Sequence, residues 1–315
     1  MSLLIHEDCF EWLKRREPDS IHAVCTDPPY GIIEFTDKEL TKLRSGKGGI
    51  WRLAPKMNGS QRDPLPRFTV LTGKDKLDLV KFIFNFGKHL HRVLVPGAHV
   101  CIAGHPILQH LVQGAMVEAG FEVRPTLIRI YQGFRGGDRP KNAEEEFPEV
   151  CVTPKGNYEP WMLFRKPISG KTVAENLRKW GTGGLRRLTK DKPFPEVIFS
   201  GKTPKREQAI SNHPCLKPQH FMRILTRALL PLGKGTIIDP FMGSGSTISA
   251  AQCVGYDAIG IEKDAIYYGQ ALQTIPKLAA LYPRFVGNTL ELEAPDALRN
   301  GVPDKDQLML MQMAG

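Results

Sequence analysis

Gly235-Thr236-Ile237-Ile238-Asp239-Pro240-Phe241-Met242-Gly243-Ser244-Gly245-Ser246-Thr247 carries a short apolar run into a glycine turn, and Ile248-Ser249-Ala250-Ala251 continues it as the start of a helix. Strand, glycine turn and helix in that order is the setting a cofactor loop requires in an open α/β sheet. Gly243 and Gly245 let the backbone approach a ligand closely, and Ser246 or Thr247 supplies a cap for the helix. A further apolar run, Ala258-Ile259-Gly260-Ile261, ends in Glu262, 23 residues after Asp239. An acid at that distance, after the next strand, is placed to accept hydrogen bonds from ribose hydroxyls. The series by itself fits any adenosine-containing cofactor.

Near the amino terminus Ile21-His22-Ala23-Val24-Cys25 reads as a buried strand and leads into Thr26-Asp27-Pro28-Pro29-Tyr30. The carboxyl end of a strand is where open α/β sheets place their chemistry. Two prolines remove two backbone donors and restrict φ, so Asp27 and Pro28 present acceptors from a stiff turn. A carboxylate, a free carbonyl and an aromatic face suit the exocyclic amine of an extruded base, whose hydrogens need acceptors and whose ring needs a stacking partner. The plain alternative is an ordinary strand-ending turn. Tyr30 and the glycine turn weigh against it.

These motifs resemble those of the β-class DNA amino-methyltransferases, which methylate adenine N6 or cytosine N4 from S-adenosylmethionine. Asp27-Pro28-Pro29-Tyr30 matches the catalytic signature [DNS]-P-P-[YFW], and Asp239 to Thr247 matches the cofactor signature D-P-F-x-G-S-G-[ST]-T. His213, Pro214, Lys217 and Pro218 match a third element, H-P-x-x-K-P, and the order of motifs is that of the β class. The resemblance spans about residues 1 to 275. It implies an α/β, Rossmann-like methyltransferase fold: a mainly parallel twisted sheet of seven strands, one reversed, with helices on both faces and an inserted target-recognition region. It implies catalytic roles for Asp27, Pro28, Pro29 and Tyr30. It also implies a cofactor pocket formed by Asp8, His213, Lys217, Asp239, Phe241, Gly243, Ser244, Gly245 and Glu262. Asp8 is carried over through the opening strand Leu4 to Cys9, where Glu7 replaces a common glycine. Asp27 in the first motif position favours adenine N6; a serine there favours cytosine N4. Cytosine N4, RNA, and a catalytically silent subunit that only binds nucleic acid stay open as alternatives.

Charge points the same way independently. The chain has 43 Lys and Arg against 33 Asp and Glu, a formal charge of +10. Residues 36 to 76 hold ten basic and four acidic residues, and residues 133 to 206 hold sixteen and nine, so the rest of the chain is net negative. An excess confined to two segments points to a polyanion, whereas a uniform one would serve solubility alone. Arg178, Lys179, Arg186 and Arg187, around Trp180-Gly181-Thr182-Gly183-Gly184-Leu185, are the candidate nucleic-acid contacts, phosphate contacts before base readers. Double-stranded DNA is the expected partner. A cognate restriction endonuclease and the choice of monomer or homodimer are left open.

Helical spacing marks Leu77 to Leu94, Leu108 to Met116 with Gly120 as its stop, and Phe221 to Leu229. Val95-Pro96-Gly97 reads as a turn before a strand at Val100 to Ala103, and strands are expected at Thr126 to Tyr131 and Trp161 to Phe164. The expected organisation is a catalytic half at 1–120 with a mobile basic loop at about 34–75, a target-recognition region at 121–206, a cofactor-binding half at 207–275 and a tail at 276–315. Six cysteines, at 9, 25, 101, 151, 215 and 253, form no C-x-x-C pair, so neither a metal site nor a disulfide framework is expected. Pro214-Cys215 is similar to the Pro-Cys nucleophile of cytosine C5 methylases, but its place inside the third element favours a small packing residue. With no run of 18 apolar residues and two acids in the first eight positions, a cytoplasmic protein without membrane contact is expected.

Overall fold

In chain order the described elements are β1 (Ser2–His6), α1 (Cys9–Arg15), β2 (Ile21–Thr26), α2 (Gly73–Val93), β3 (Leu94–Ala103), α3 (Gln109–Glu118), β4 (Glu122–Val123), β5 (Leu127–Arg135), β6 (Gly156–Arg165), α4 (Val173–Trp180), β7 (Val197–Phe199), α5 (Lys205–Gln208), α6 (Gln219–Leu229), β8 (Thr236–Asp239), α7 (Ser246–Cys253), β9 (Asp257–Glu262) and α8 (Ala265–Ala280). They come from a computed structural model that describes residues 2–28, 72–135, 137, 139, 140, 142–211, 213 and 216–282. Pro29, Tyr30, most of the expected loop at 34–75, Pro214, Cys215 and the tail from 283 onward lie outside the described residues.

The strands form one sheet in the order β1-β9-β8-β2-β3-β6-β5-β7, with β4 also pairing β6. The first five in that order run parallel, β6 is antiparallel to β3, β4 and β5, and β7 is parallel to β5. This is the mainly parallel α/β sheet, with β6 as its one reversed strand among the described residues. Among the described residues it has nine strands where seven were expected, two of them, β4 and β7, only two and three residues long.

Period-two alternation splits the strand residues between two cores. Val24, Val100, Ile102, Ile238 and Ile261 face a layer built with Leu13, Ile83, Phe86, Leu90 and Met116 from α1 to α3. Their neighbours Ala23, Cys25, Cys101, Ile237 and Ala258 face the opposite layer, with Phe221, Leu225, Ile248 and Ile275 from α6 to α8. Both faces of β2 are therefore apolar and buried, which explains why it reads as a continuous apolar run.

Local chemistry sets the element ends. α2 starts four residues before its apolar spacing does, because Thr72 and Asp75 form a reciprocal capping box. Gly120, at φ +106°, terminates the turn after α3, and Gly181, at φ +73°, terminates α4. Val95-Pro96-Gly97 is not a turn ahead of the strand but an irregularity inside β3: the register passes from Ile21 opposite Leu94 to Ala23 opposite His99. Residues 121–206 contribute β4 to β7 to the same sheet. No described helix is long and apolar enough to cross a membrane.

Gly97 sits at φ +80°, and a Cβ there would lie 2.3 Å from Asn176 Nδ2 and 3.0 Å from the Gly183 backbone. Gly97→Ala is expected to destabilise the fold by about 1–3 kcal/mol through overpacking and backbone strain. Equilibrium urea unfolding would register this as a lower midpoint with unchanged slope.

Candidate active site

Strand order reverses between β8 and β2, since β8 leads to β9 on one side and β2 leads to β3 on the other. Ligands of open α/β sheets bind at such a switch, outside the carboxyl ends of the strands. Here those ends carry Asp239 and Thr26-Asp27, and Thr26 Oγ1 donates to Asp239 Oδ1 at 2.7 Å inside the protein. Two turns 213 residues apart in sequence are thereby joined. Asp27, Trp161, His213, Lys217, Met222, Asp239, Phe241, Gly243, Ser244, Ser246 and Thr247 line one cleft above the junction.

The cleft's cofactor-loop wall is set by backbone geometry. Gly243 and Gly245 have φ of +50° and +90°, and a Cβ at 245 would meet Ile275 Cγ1 at 2.3 Å. Glu262 Oε2 accepts from the Gly243 amide at 3.0 Å, and its Oε1 accepts from the Asp264 amide at 2.8 Å. This holds the acid at the rim of β9 beside the loop. His213 lies over the turn, its Nε2 3.0 Å from where a Gly243 Cβ would stand, and its ring packs edge-on against Tyr267. Burial lowers the proton affinity of His213, against the opposing pull of Asp27. Phe241 packs against Phe82 and Phe86 of α2, and Phe10 of α1 packs on the same pair. Asp8 caps α1 through the Phe10 amide at 2.8 Å, at the end of β1 and two strands from β8.

Two of the anticipated residues behave differently from a simple ligand contact. Asp239 is 3% exposed and its carboxylate is used internally, accepting from Thr26, Thr247 and the Phe241 amide. Lys217 donates its backbone N–H to Ser246 Oγ at 3.2 Å, while its ammonium bridges Asp27 Oδ2 at 2.7 Å and Glu159 Oε1 at 2.9 Å. Glu159 Oε2 in turn accepts from Arg129 NH1 at 2.9 Å and from the Trp161 indole at 3.0 Å. Burial alone would raise the Glu159 carboxyl; Lys217 and Arg129 outweigh it and hold it well below the usual carboxylate range. The motif reading gave no role to Glu159, Arg129, Trp161 or Thr26. Thr26 had a signal, its place directly before Asp27; the others are single residues in strands of ordinary composition.

The sequence profile of the N6/N4 DNA methylases matches residues 21–273. The chain belongs to this DNA methylase family. It is 24% identical over 293 residues to the type II methyltransferase M.HindIII of Haemophilus influenzae, covering 86% of this chain and 94% of the relative. Among solved structures, the putative DNA modification methylase TTHA0409 of Thermus thermophilus, complexed with S-adenosyl-L-methionine, superposes with a TM-score of 0.55 at 17% identity, covering 90% of this chain and 96% of that one. PvuII DNA methyltransferase, described as cytosine-N4-specific, gives 0.55 at 16% identity over 88% and 91%. These likenesses support the Rossmann-like methyltransferase fold.

In this DNA methylase the candidate nucleic-acid residues are not brought to the cleft. Asn176 of α4 donates to the carbonyls of Pro96 and Thr182, which fixes α4 and the Trp180 to Leu185 stretch at the amino end of β3. Arg186 donates to the Tyr256 hydroxyl at 2.9 Å just ahead of β9, and Arg187 donates to the carbonyls of Lys190 and Asp191. Arg178 and Lys179 are exposed on the last turn of α4. All four stand at the end of the sheet opposite Asp27, where basic side chains also complement the carboxyl ends of helices.

Burial lifts the Asp239 carboxyl to about 7, against the hydrogen bonds from Thr26 and Thr247 that pull the other way. The folded state therefore holds this proton more tightly than the unfolded chain does. The stabilisation is complete below the ordinary Asp range and is lost as pH rises from about 4 to about 7. Asp239→Asn keeps an acceptor for Thr26 and removes the titration, so it is expected to abolish a component of about 1.4 kcal/mol per pH unit across that window. Chemical denaturation of both proteins between pH 4 and 8 would measure it, and parallel curves would refute it.

Proposed function

We propose that the chain transfers a methyl group from S-adenosylmethionine to N6 of an adenine extruded from double-stranded DNA. The observation that carries the reading is the Thr26–Asp239 hydrogen bond, which sets the Asp27 turn and the Gly243 turn on two sides of one cleft. The choice of adenine rests on Asp27, by resemblance; a cytosine-N4-specific protein is among the fold neighbours, so cytosine is the second reading.

The residues present fit the cofactor. The Gly243 to Ser246 backbone leaves the loop without side-chain bulk at its tightest point, and Phe241 supplies an apolar wall. Glu262 uses one acceptor site of each oxygen on a backbone amide, and a carboxylate has about four such sites, so ribose hydroxyls find acceptors there. His213, Ser244 and Asp8 complete the assigned pocket. When bound, the cofactor would supply an activated methyl group to the amine nitrogen and depart as the neutral sulfide, and the nitrogen would give up one proton in exchange.

The protein's part is to make the amine a better nucleophile. Its lone pair is delocalised into the base, and acceptors holding its hydrogens favour a more tetrahedral nitrogen. Asp27 and the Pro28 carbonyl take that role, and Tyr30 stacks on the extruded ring, a contact worth about 1–3 kcal/mol by comparison with other base–aromatic pairs. Extrusion costs a few kcal/mol, which phosphate contacts from the basic segments offset.

Incubation with methyl-labelled cofactor and mixed-sequence duplex, followed by digestion to nucleosides, is expected to place label in N6-methyl-2′-deoxyadenosine. Label in N4-methylcytosine would overturn the adenine assignment. Asp27→Ala is expected to abolish transfer while duplex affinity stays within a few fold; surviving activity would remove Asp27 from its role as principal acceptor.

A further inference from the structure

Around Asp27 the charges alternate: Asp27, Lys217, Glu159 and Arg129 form a chain of carboxylate, ammonium, carboxylate and guanidinium, with contacts of 2.7, 2.9 and 2.9 Å. Their side chains are between 7% and 19% exposed, so the contacts are weakly screened. The far end is anchored to the backbone framework: Arg129 also donates to Ser200 Oγ at 3.1 Å and to the Gly201 carbonyl at 3.3 Å, beyond β7. Glu159 is held from a second side by the Trp161 indole, itself fully buried. Arg129 and Glu159 lie on β5 and β6, the two strands that pair antiparallel beyond β3. Lys217 lies instead on the segment that enters α6.

An ammonium on a four-carbon stem does not hold one geometry by itself, because it is a rotatable point charge. Bridged between two carboxylates, one of them fixed by two further donors, it becomes a fixed cation against Asp27 Oδ2. We propose that Glu159 is a positioning residue for methyl transfer: acting through Lys217, it sets the orientation of the Asp27 carboxylate that meets the amine, with Arg129 as its anchor. The proposal rests on the functional reading above and adds two residues to it. It also gives Lys217 a task at the catalytic turn in place of a cofactor contact through its side chain.

Orientation at the reacting centre is worth large factors in rate, since a displacement of about 1 Å can cost about a hundredfold. Glu159→Gln keeps the size and an acceptor for the indole but releases Lys217. The single-turnover rate is expected to fall about 10- to 100-fold, while dissociation constants for S-adenosylmethionine and duplex stay within about threefold. A purely structural residue would not shift the balance between rate and binding in this way.

The deciding measurement is a double-mutant cycle on the full chain with Glu159→Gln, Lys217→Met and both together. If Glu159 acts through Lys217, adding Glu159→Gln to Lys217→Met changes the rate by less than about twofold. Losses that multiply would overturn the proposal, as would a weakened cofactor affinity that accounts for the whole effect of Glu159→Gln. Should Glu159→Gln fail to fold, Glu159→Asp, which keeps the charge and withdraws it, takes its place in the same cycle: a non-additive loss supports the proposal and a multiplying one overturns it. Methyl transfer by the unmodified protein is the internal control: its absence from every base would overturn the functional reading and this proposal with it, whereas transfer with multiplying losses would overturn this proposal alone.

Discussion

A single buried hydrogen bond, Thr26 Oγ1 to Asp239 Oδ1, ties the two halves of the chain together where they carry their chemistry. Most of what lines the cleft hangs from the strands on either side of it, β2 and β8. β2 delivers Asp27, β8 delivers the Gly243 turn, β9 returns Glu262 to that turn's amide, and the segment before α6 brings His213 and Lys217 across. A hydroxyl and a carboxylate placed between apolar strands would be costly unpaired; paired, they become a registration point that two flat apolar ladders alone would not supply. The cost of burial is visible in the Asp239 carboxyl, which stays raised in spite of its donors.

The sequence was most legible where one residue type has one physical use. Glycines at positive φ, a proline pair after an apolar run, and an acid at the end of the following strand each report a backbone or ligand requirement; Gly243 and Gly245 do take positive φ, and Glu262 accepts from the Gly243 amide. Helical spacing located α2, α3 and α6, and missed the start of α2 only because its first turn is polar and held by Thr72 and Asp75. The parallel core and its helices on both faces were what the family resemblance implied.

Pairings between distant strands were not legible. Nothing in Tyr158-Glu159-Pro160 marks Glu159 as the partner of Lys217, 58 residues on, or of Arg129, 30 residues back. Charge counted along the chain also says nothing about which end of the sheet it occupies. Arg178 and Lys179 belong to the most basic segment and still stand at the amino end of β3, because a buried asparagine, Asn176, fastens α4 to Pro96. Asp239 shows a third gap: nothing in the motif foretold that the carboxylate lining the cleft also accepts a hydrogen bond from Thr26.

The alternation of β2 between two cores has an evolutionary corollary. Val24 faces α1 to α3 and Cys25 faces α6 to α8, so inserting or deleting one residue within the strand would exchange the two layers and turn Thr26 away from Asp239. Substitution carries no such penalty, provided the replacement is apolar and of similar volume. Such a strand tolerates changes of residue far better than changes of length. Relatives that share only 24% of its residues over most of both chains are what that asymmetry allows.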